Sequence, residues 1–585
     1  MKRDQLSNMT AQGGIITTGF LDQMRGETSV NPLVKPQAFA TFGSPAPESQ
    51  KTLDEKISDS FYNLVERWDS ISNFYDNMDV SEARRRWIIP LLQELGFDPD
   101  FNHKDRMVDG DEQLRFRLSH RGWASSDAPM IHTVAPKQDL ETRSDDGRGS
   151  KRSPHDELQT FLNVSKDHKW GIITNGISFR ILRDFFHTTT KGYVEFDIEN
   201  ILRERSYSDF RAFYRMAHAS RFRGDDGNGN YPLEQFYRES VTAGEKVGQN
   251  LRGNVKRAIE VFGNGFLTLA PELKEQMVED EELCNDYYSE ILRVIYRILF
   301  LLYAEQRAML PTRGSLYIDE YSITRLREIA ESRKGNDDHC DLWEGLKITF
   351  WMLAEGCPPL NVFAYNGSLF DRSEIPKIRK LKMKNHDLLE AIRCLTLFEE
   401  DRMQKRINYL DLDVEEIGSI YESLLDFTPR VLSSAMEIDG RQIPANRFFL
   451  DPRGSARKST GSYYTDKRLV DELIKSALKP VAERRMAKPG DREAAILSLR
   501  VCDPACGSGA FLIAATNYLG KELAKVRTGE SEPSDNDIRH ARRDVLQHCI
   551  YGVDVNPMVV ELAKVSLWIN AAVNDLPLNF LDHHI

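Results

Sequence analysis

Leu499-Arg500-Val501-Cys502-Asp503-Pro504-Ala505-Cys506-Gly507-Ser508-Gly509-Ala510-Phe511-Leu512 is the stretch from which the fold of the C-terminal part of this chain can be read. Apolar residues alternate at Leu497, Leu499 and Val501, as in a half-buried strand. The strand ends at Asp503-Pro504, since proline cannot donate to a ladder. A loop with Gly507 and Gly509 follows, then a run in which Phe511, Ala514, Ala515, Tyr518 and Leu519 share one helical face. Strand, glycine loop, helix is the order by which a doubly wound α/β sheet sets a ligand at the carboxyl end of a strand. The glycines let backbone approach that ligand, and the helix N-terminus offers unpaired N–H groups. A dinucleotide fingerprint would add a third glycine and an acid about 20 residues further on. Neither is present.

A second strand supports the first. Cys549-Ile550-Tyr551-Gly552-Val553-Asp554 is a short apolar run ending in a carboxylate. Asn556-Pro557 then opens a helix, with asparagine as cap and proline at the first helical position. Between Gly509 and this strand, Thr528 to His548 reads as a charged, polar insertion.

The eight residues Asp503 to Ala510, Asp-Pro-Ala-Cys-Gly-Ser-Gly-Ala, resemble motif I of the amino-methyltransferases, whose loop wraps the methionine part of S-adenosylmethionine (SAM). Upstream, Ser459-Thr460-Gly461-Ser462-Tyr463-Tyr464-Thr465-Asp466 resembles motif X of the adenine-N6 DNA methyltransferases in its Gly-x-Tyr-Tyr-Thr form. The resemblance implies SAM as cofactor, with Asp503 facing its ammonium group and Asp554 accepting the ribose hydroxyls. It implies a binding set of Thr460, Gly461, Tyr464, Thr465, Asp503, Pro504, Ala505, Cys506, Gly507, Gly509, Phe511, Asp554 and Val555. Thr465 also suits the cap of the helix that follows.

With 585 residues the chain has room for about three domains. None of its seven cysteines stands in a Cys-x-x-Cys pair, so no disulfide framework or zinc site is expected, and no metal ligand is assigned. The N-terminus lacks a signal-peptide pattern. The longest apolar run, Ile291 to Ala304, is interrupted by Arg293 and Arg297 and is too short for a bilayer. A cytoplasmic protein without membrane contact is expected. The net charge of −12 argues against a wholesale nucleic-acid coat but allows a basic surface confined to one cleft.

In chain order, residues 1–50 show no sustained periodicity and read as a mobile leader. From Leu53 to Phe97 the pattern is helical, with Arg84-Arg85-Arg86 read as a solvated face. Residues 112–195 read as α/β, with strands at Met130–Val134 and Lys169–Gly176, then Ser178–Asp184 across an Asn-Gly turn. Ser153-Pro154-His155 opens a helix between the first two. Leu162 to Asp184, LNVSKDHKWGIITNGISFRILRD, is similar to the N-terminal region of large fused restriction–modification proteins, where a metal-dependent nuclease can sit. Such a nuclease needs an Asp, then Glu-x-Lys on the next strand, converging on a hard cation. Asp127, Lys137, Asp139 and Glu141 come in the wrong order, and Glu272-Leu273-Lys274 sits in a helical context. A nuclease-like scaffold without its catalytic set is expected.

Residues 231–430 are mostly helical, with Ile291, Val294, Ile295, Ile298 and Leu302 marking a core helix. YRILFLLYAEQRAMLP (296–311) and IGSIYESLLDF (417–427) resemble the helical connector of the same fused family. Asp582-His583-His584 reads as an exposed loop. The domain reading is leader 1–50, nuclease-like α/β domain 51–222, helical connector 231–430, and the first part of a Rossmann-like methyltransferase domain 456–585.

In the class where motif X precedes motif I, the catalytic tetrapeptide Asn-Pro-Pro-Tyr lies well after the second strand. Cys357-Pro358-Pro359 and Asn556-Pro557-Met558 do not match it, so no catalytic residue is assigned in this chain. The resemblance implies a site-specific adenine-N6 methyltransferase acting on double-stranded DNA in restriction–modification or phage defence. The expectation is that these residues alone do not methylate, and that a separately encoded C-terminal half or other defence-system subunits complete the enzyme. The alternative reading is a non-catalytic SAM- or DNA-binding subunit of a defence complex.

Overall fold

The computed structural model describes residues 8–585 apart from 28–30, 42–44, 103–105, 109–113, 127, 143–151, 166, 185–190, 224–230, 308, 312–314, 333–334, 366–367, 401–402, 408, 410–417, 419–426, 439–440, 452–464, 466, 531–532, 572 and 574–580. The architecture is mixed α/β, in two compact units: Met1–Gly244 with Thr528–Asp535, and Glu245–Arg527 with Asn536–Ile585.

The first unit is built on a seven-stranded sheet. Its strands are β1 (Met9–Gln12), β2 (Asp100–Phe101), β3 (His120–Arg121), β4 (Met130–Thr133), β5 (Trp170–Thr174), β6 (Ser178–Arg183) and β7 (Tyr193–Asp197). They lie in the order β1-β7-β6-β5-β4-β3-β2. Neighbours are antiparallel except β4 and β5, which run parallel with Met130 opposite Gly171. A parallel pair needs a crossover helix. The chain supplies one at Pro154–Val164, with Ser153 accepting the Asp156 N–H and Pro154 in the first turn, as the sequence predicts. All five residues of β5 are buried because both faces of the sheet are covered. Ile173 packs with Leu158, Phe161 and Leu162 on one side, and Ile172 with Ile57, Leu64 and Phe213 on the other. The Asn-Gly turn is also as predicted: Gly176 has φ +90°, and Asn175 Oδ1 accepts the N–H groups of Ile177 and Ser178.

Two expectations are corrected here. The leader expected over residues 1–50 is, in its described parts, built into this unit. Residues 9–12 form edge strand β1 against β7, with Met9 opposite Phe196 and Gln12 opposite Tyr193. Buried arginines then hold the segment that follows. Arg215 donates to the carbonyls of Met24 and Gly26, and Arg221 to those of Leu33 and Ala38. A four-residue edge strand is too short to show a period, so the sequence does not announce it. The second correction concerns Arg84. It is not on a solvated face but turns inward to donate to Thr133 Oγ1 (2.7 Å) and the Thr133 carbonyl (2.9 Å) at the end of β4.

The second unit is mostly helical. Helix Pro232–Thr268 enters it, and Glu281–Gln306 runs through its main core. The predicted stripe Ile291, Val294, Ile295, Ile298 and Leu302 is wholly buried. No helix among the described residues is long and apolar enough to cross a membrane. Arg293 and Arg297, which interrupt the apolar run, are both put to use within the unit. Arg297 donates to the carbonyls of Leu369 and Asp371.

The strand–loop–helix predicted around Gly507 is present as β8 (Val501–Asp503), a loop, and α1 (Ala510–Thr528). Strand β9 (Ile550–Gly552) lies parallel to β8, with Asp503 opposite Gly552. The strand starts later than its apolar alternation suggests. Leu497 ends a helix, Arg492–Leu497, capped by Asp491, and only Val501 onward is extended. The charged insertion 528–548 is largely a helix, α2 (Asp535–Cys549), which buries Ile538, Ala541, Val545, Leu546 and Cys549. Its apolar stripe is narrow but regular, which suffices for one face. Helix α3 (Pro557–Ala571) follows β9. Leu581–His584 is a short helix rather than a loop, and its His584 ring lies 4.5 Å from that of Tyr551.

Candidate cofactor site

The site is assembled where β8 and β9 end side by side. The parallel pairing continues one step past the strands, with the Val553 N–H donating to the Asp503 carbonyl (2.9 Å) and the Cys506 N–H to the Val553 carbonyl (3.0 Å). These bonds bring two carboxylates, Asp503 and Asp554, to the same edge. Asp503 Oδ1 accepts the Ala505 N–H (3.1 Å), which shapes the first bend of the loop. Asp554 spans both sides: Oδ2 accepts the Gly507 N–H (3.0 Å) and Oδ1 the Asn556 N–H (2.9 Å). One carboxylate thus ties the glycine loop to the start of α3. An ionised carboxylate has about four lone-pair sites, so both oxygens keep capacity for a ligand's hydroxyl groups.

The glycines are required by the backbone. Gly507 has φ +53° and Gly509 has φ +89°. Among the described residues a Cβ on Gly507 would meet nothing within 4 Å, so the loop is open there as far as those residues go. A Cβ on Gly509 would stand 3.3 Å from that of Ala563, because here the loop packs against α3. At Gly552 a Cβ would come within 2.7 Å of Leu512, so β9 and α1 approach closely only because that residue is glycine. The three glycines therefore differ in function: one meets no described neighbour and two allow close packing.

Helix α3 starts as predicted, with Asn556 Oδ1 accepting the Met558 N–H (3.0 Å). Val555, between the two carboxylate-side residues, is 86 % exposed, and Pro504 and Ala505 are exposed on the loop. Phe511 is half-buried at the first turn of α1. Cys506 is buried, and its thiol is pushed up to about 11 by burial and by the charges of Asp554 and Asp503. A thiol held neutral in this way packs rather than ligates. Thr465 is half-buried just before helix Lys467–Leu473, while Thr460, Gly461 and Tyr464 lie outside the described residues. The structure thus brings together Asp503, Cys506, Gly507, Gly509, Asp554 and Val555.

Sequence reading missed the frame behind α3. One face of that helix, Met558, Leu562, Val565 and Ile569, belongs to the connector core, and Leu567 and Ala571 belong to the core of the cofactor segment. Arg293 holds Glu561 through both carboxylate oxygens (2.6 and 2.9 Å), and Trp568 packs on Phe300 with ring centroids 4.0 Å apart. The only sequence signal was the two arginines inside the apolar run 291–304.

The acids weighed for a nuclease have other partners where they are described. Asp139 Oδ1 accepts the N–H groups of Glu141 and Thr142, and Glu141 pairs with Arg180 (3.1 Å) and Lys191 (3.4 Å). Asp127 lies outside the described residues. At the end of β4 stands the Arg84 guanidinium, beside His120 and His132, both lowered to about 4 by burial and by Arg84. No group of metal-ligating side chains occurs among the described residues.

Residues 484–579 match the family model of the MmeI DNA-methyltransferase domain. The chain is 23% identical over 239 residues to a protein of Methanocaldococcus jannaschii described as a type II restriction enzyme and methyltransferase, covering 35% of this chain and 18% of that one. It is 33% identical over 140 residues to the adenine-specific methyltransferase PglX of Streptomyces coelicolor, covering 23% and 10%. Among solved structures it is similar to the type IIL restriction-modification enzyme MmeI in complex with DNA, at 17% identity and a TM-score of 0.33, over 54% of this chain and 36% of that one. The chain therefore carries a methyltransferase segment homologous to those of restriction–modification enzymes, and spans less than a fifth of the length of these two curated relatives.

Proposed function

We propose that β8, β9 and the glycine loop form the SAM-binding part of an adenine-N6 DNA methyltransferase of the restriction–modification or phage-defence type, working in the cytoplasm on double-stranded DNA. The observation that carries this reading is the placement of Asp503 and Asp554 at one edge, with Asp554 bonded to a glycine loop that is open at Gly507 among the described residues. The fit to SAM is chemical. Asp503 suits an ammonium group, Asp554 suits ribose hydroxyls, and exposed Val555 offers an apolar face to an adenine ring. When bound, SAM supplies a sulfonium methyl group as electrophile. The residues of this chain would hold and orient that group.

Amine activation needs more. An exocyclic amine must be flipped out of the duplex at a cost of a few kcal/mol and aligned with the methyl group, and alignment accounts for much of the acceleration. The Asn-Pro-Pro-Tyr motif that does this in the family is absent from the 585 residues. Parallel sheets are normally covered on both faces, yet Cys502 at the centre of β8 and Val553 after β9 are exposed. Crossover helices normally provide that cover, and we assign it, with the amine-binding motif, to a C-terminal half or partner subunit.

Calorimetry of SAM binding to the whole chain, beside the Asp503→Ala, Asp554→Ala double variant, tests the assignment. Binding by the unaltered chain alone is the expected result. Equal binding by both would remove these carboxylates from the site. The non-catalytic alternative separates at the next step: it predicts no methyl transfer even after a matched C-terminal half is supplied.

A further inference from the structure

Residues 372–384 run against the charge of the molecule. They hold six basic residues (Arg372, Lys377, Arg379, Lys380, Lys382, Lys384) and one acid (Glu374), a net of +5 in a chain of net −12. The segment has only two single-turn 3₁₀ helices, Arg372–Glu374 and Ile378–Lys380. A solvated charge run would need no fixing. This one is fixed from within. Buried Glu290 accepts the N–H groups of Lys377 (2.9 Å) and Ile378 (2.8 Å). Buried Arg297 holds the Asp371 carbonyl (2.7 Å), and the Trp343 indole holds that of Leu381 (3.1 Å).

Helix Asp341–Glu355 touches the segment at two points. Lys347 Nζ donates to the Arg379 carbonyl (3.2 Å), and one turn further on Arg372 stacks over Trp351 at 5.7 Å. Trp351 remains 41 % exposed. Lys377 and Lys384 pair with Asp286 and Asp338. Arg372, Arg379, Lys380 and Lys382 are exposed and make no ion pair among the described residues. Buried charges are costly to place. Here two of them fix an irregular backbone that displays unpaired cations beside an exposed aromatic ring.

We infer that this face of the connector is a contact surface for the phosphate backbone of duplex DNA. Phosphates are the polyanion such a surface fits, because guanidinium and ammonium groups on a fixed backbone neutralise them and release counterions. Contacts of this kind position a protein on DNA without reading sequence. The inference rests on DNA being the substrate, as proposed above.

The test is fluorescence anisotropy of the full chain with a 30-base-pair labelled duplex, without cofactor, from 50 to 200 mM salt. The triple variant Arg379→Glu, Lys380→Glu, Lys382→Glu should bind at least tenfold more weakly. Its log K against log salt slope should be shallower by about 2 to 3, at roughly 0.9 for each phosphate no longer neutralised. The matching glutamine triple, gentler on folding, should show a smaller change in the same direction. A control with the same charge change elsewhere (Lys35→Glu, Lys51→Glu, Arg67→Glu) should bind nearly as the unaltered chain does. Unchanged affinity and slope in the first variant, or equal weakening in the control, would overturn the inference. So would loss of polyglutamate binding with DNA binding intact, which would reassign the face to an acidic polypeptide. SAM binding by the triple variant should be unaffected. SAM failing to bind the unaltered chain, with patch-dependent DNA binding retained, would count against the cofactor assignment alone.

Discussion

Gly507 and Gly509 stand two residues apart, yet substitution separates them. Alanine at 507 meets no described residue within 4 Å and bears chiefly the cost of a left-handed backbone, on the order of 1 kcal/mol. Its methyl group would occupy the volume assigned to the cofactor. Alanine at 509 carries φ +89°, outside the usual left-handed well, and presses on Ala563 at 3.3 Å. Gly507→Ala should thus lower the urea midpoint only slightly while weakening SAM binding tenfold or more, and Gly509→Ala should lower the midpoint further. Equal effects of both on stability and binding would mean that the loop has no ligand side. Both glycines were legible in the sequence because a tight loop between strand and helix has few alternatives. Which of them faces the ligand was not legible, since that depends on Ala563, more than fifty residues away.

At the scale of elements, α3 is shared between two cores, and the Arg293–Glu561 pair fixes its height on the connector. Both side chains are about one-fifth exposed, so solvent screening discounts the pair below the value of a fully buried one. Arg293→Ala leaves Glu561 short of its charge-assisted bonds and should destabilise the second unit by about 1–2 kcal/mol, read from urea unfolding. Glu561→Gln keeps an acceptor and should cost less. If the two single variants and the double variant are additive, the pair has no coupling and α3 is held by packing alone. Sequence periodicity found the connector helix and its stripe, and the cap at Asn556. It misplaced the start of β8 because Leu497 and Leu499 alternate by chance at a helix end. It gave no helix within the charged insertion Thr528–His548, because one narrow apolar face is outnumbered by charges. It read Arg84 as solvated, since no local pattern distinguishes a guanidinium turned toward a distant strand end from one turned to water. For Arg84 the deciding contact is long-range.

For the whole molecule, acid separates the two units. The four histidines with lowered pKa, His120, His132, His155 and His218, all belong to the first unit, whereas none of the six histidines of the second is buried. Burial is the main cause in each. Arg84 adds to it at His120 and His132, Lys191 and Arg180 at His155, and Arg221 at His218. The sign follows from linkage. Above about pH 6.5 these rings are neutral in the folded and the unfolded chain, and they contribute no pH dependence. As pH falls below that value the unfolded chain takes up protons that the folded unit refuses. Stability then drops by about 1.4 kcal/mol per histidine per pH unit. For His120 and His132 the loss levels off near pH 4, where the folded rings begin to protonate. Four such sites amount to several kcal/mol by pH 5.5, a large part of a typical domain stability of about 5–15 kcal/mol. Hydrogen exchange read by mass spectrometry at pH 7.5 and 5.5, corrected for intrinsic rates, should show protection lost in β5 and β6 while helix Glu281–Gln306 keeps its own. His218→Gln should remove about one proton from the acid slope of the first unit. Protection lost equally in both units, or an acid slope that His218→Gln leaves unchanged, would mean that these histidines do not set the acid limit of the fold.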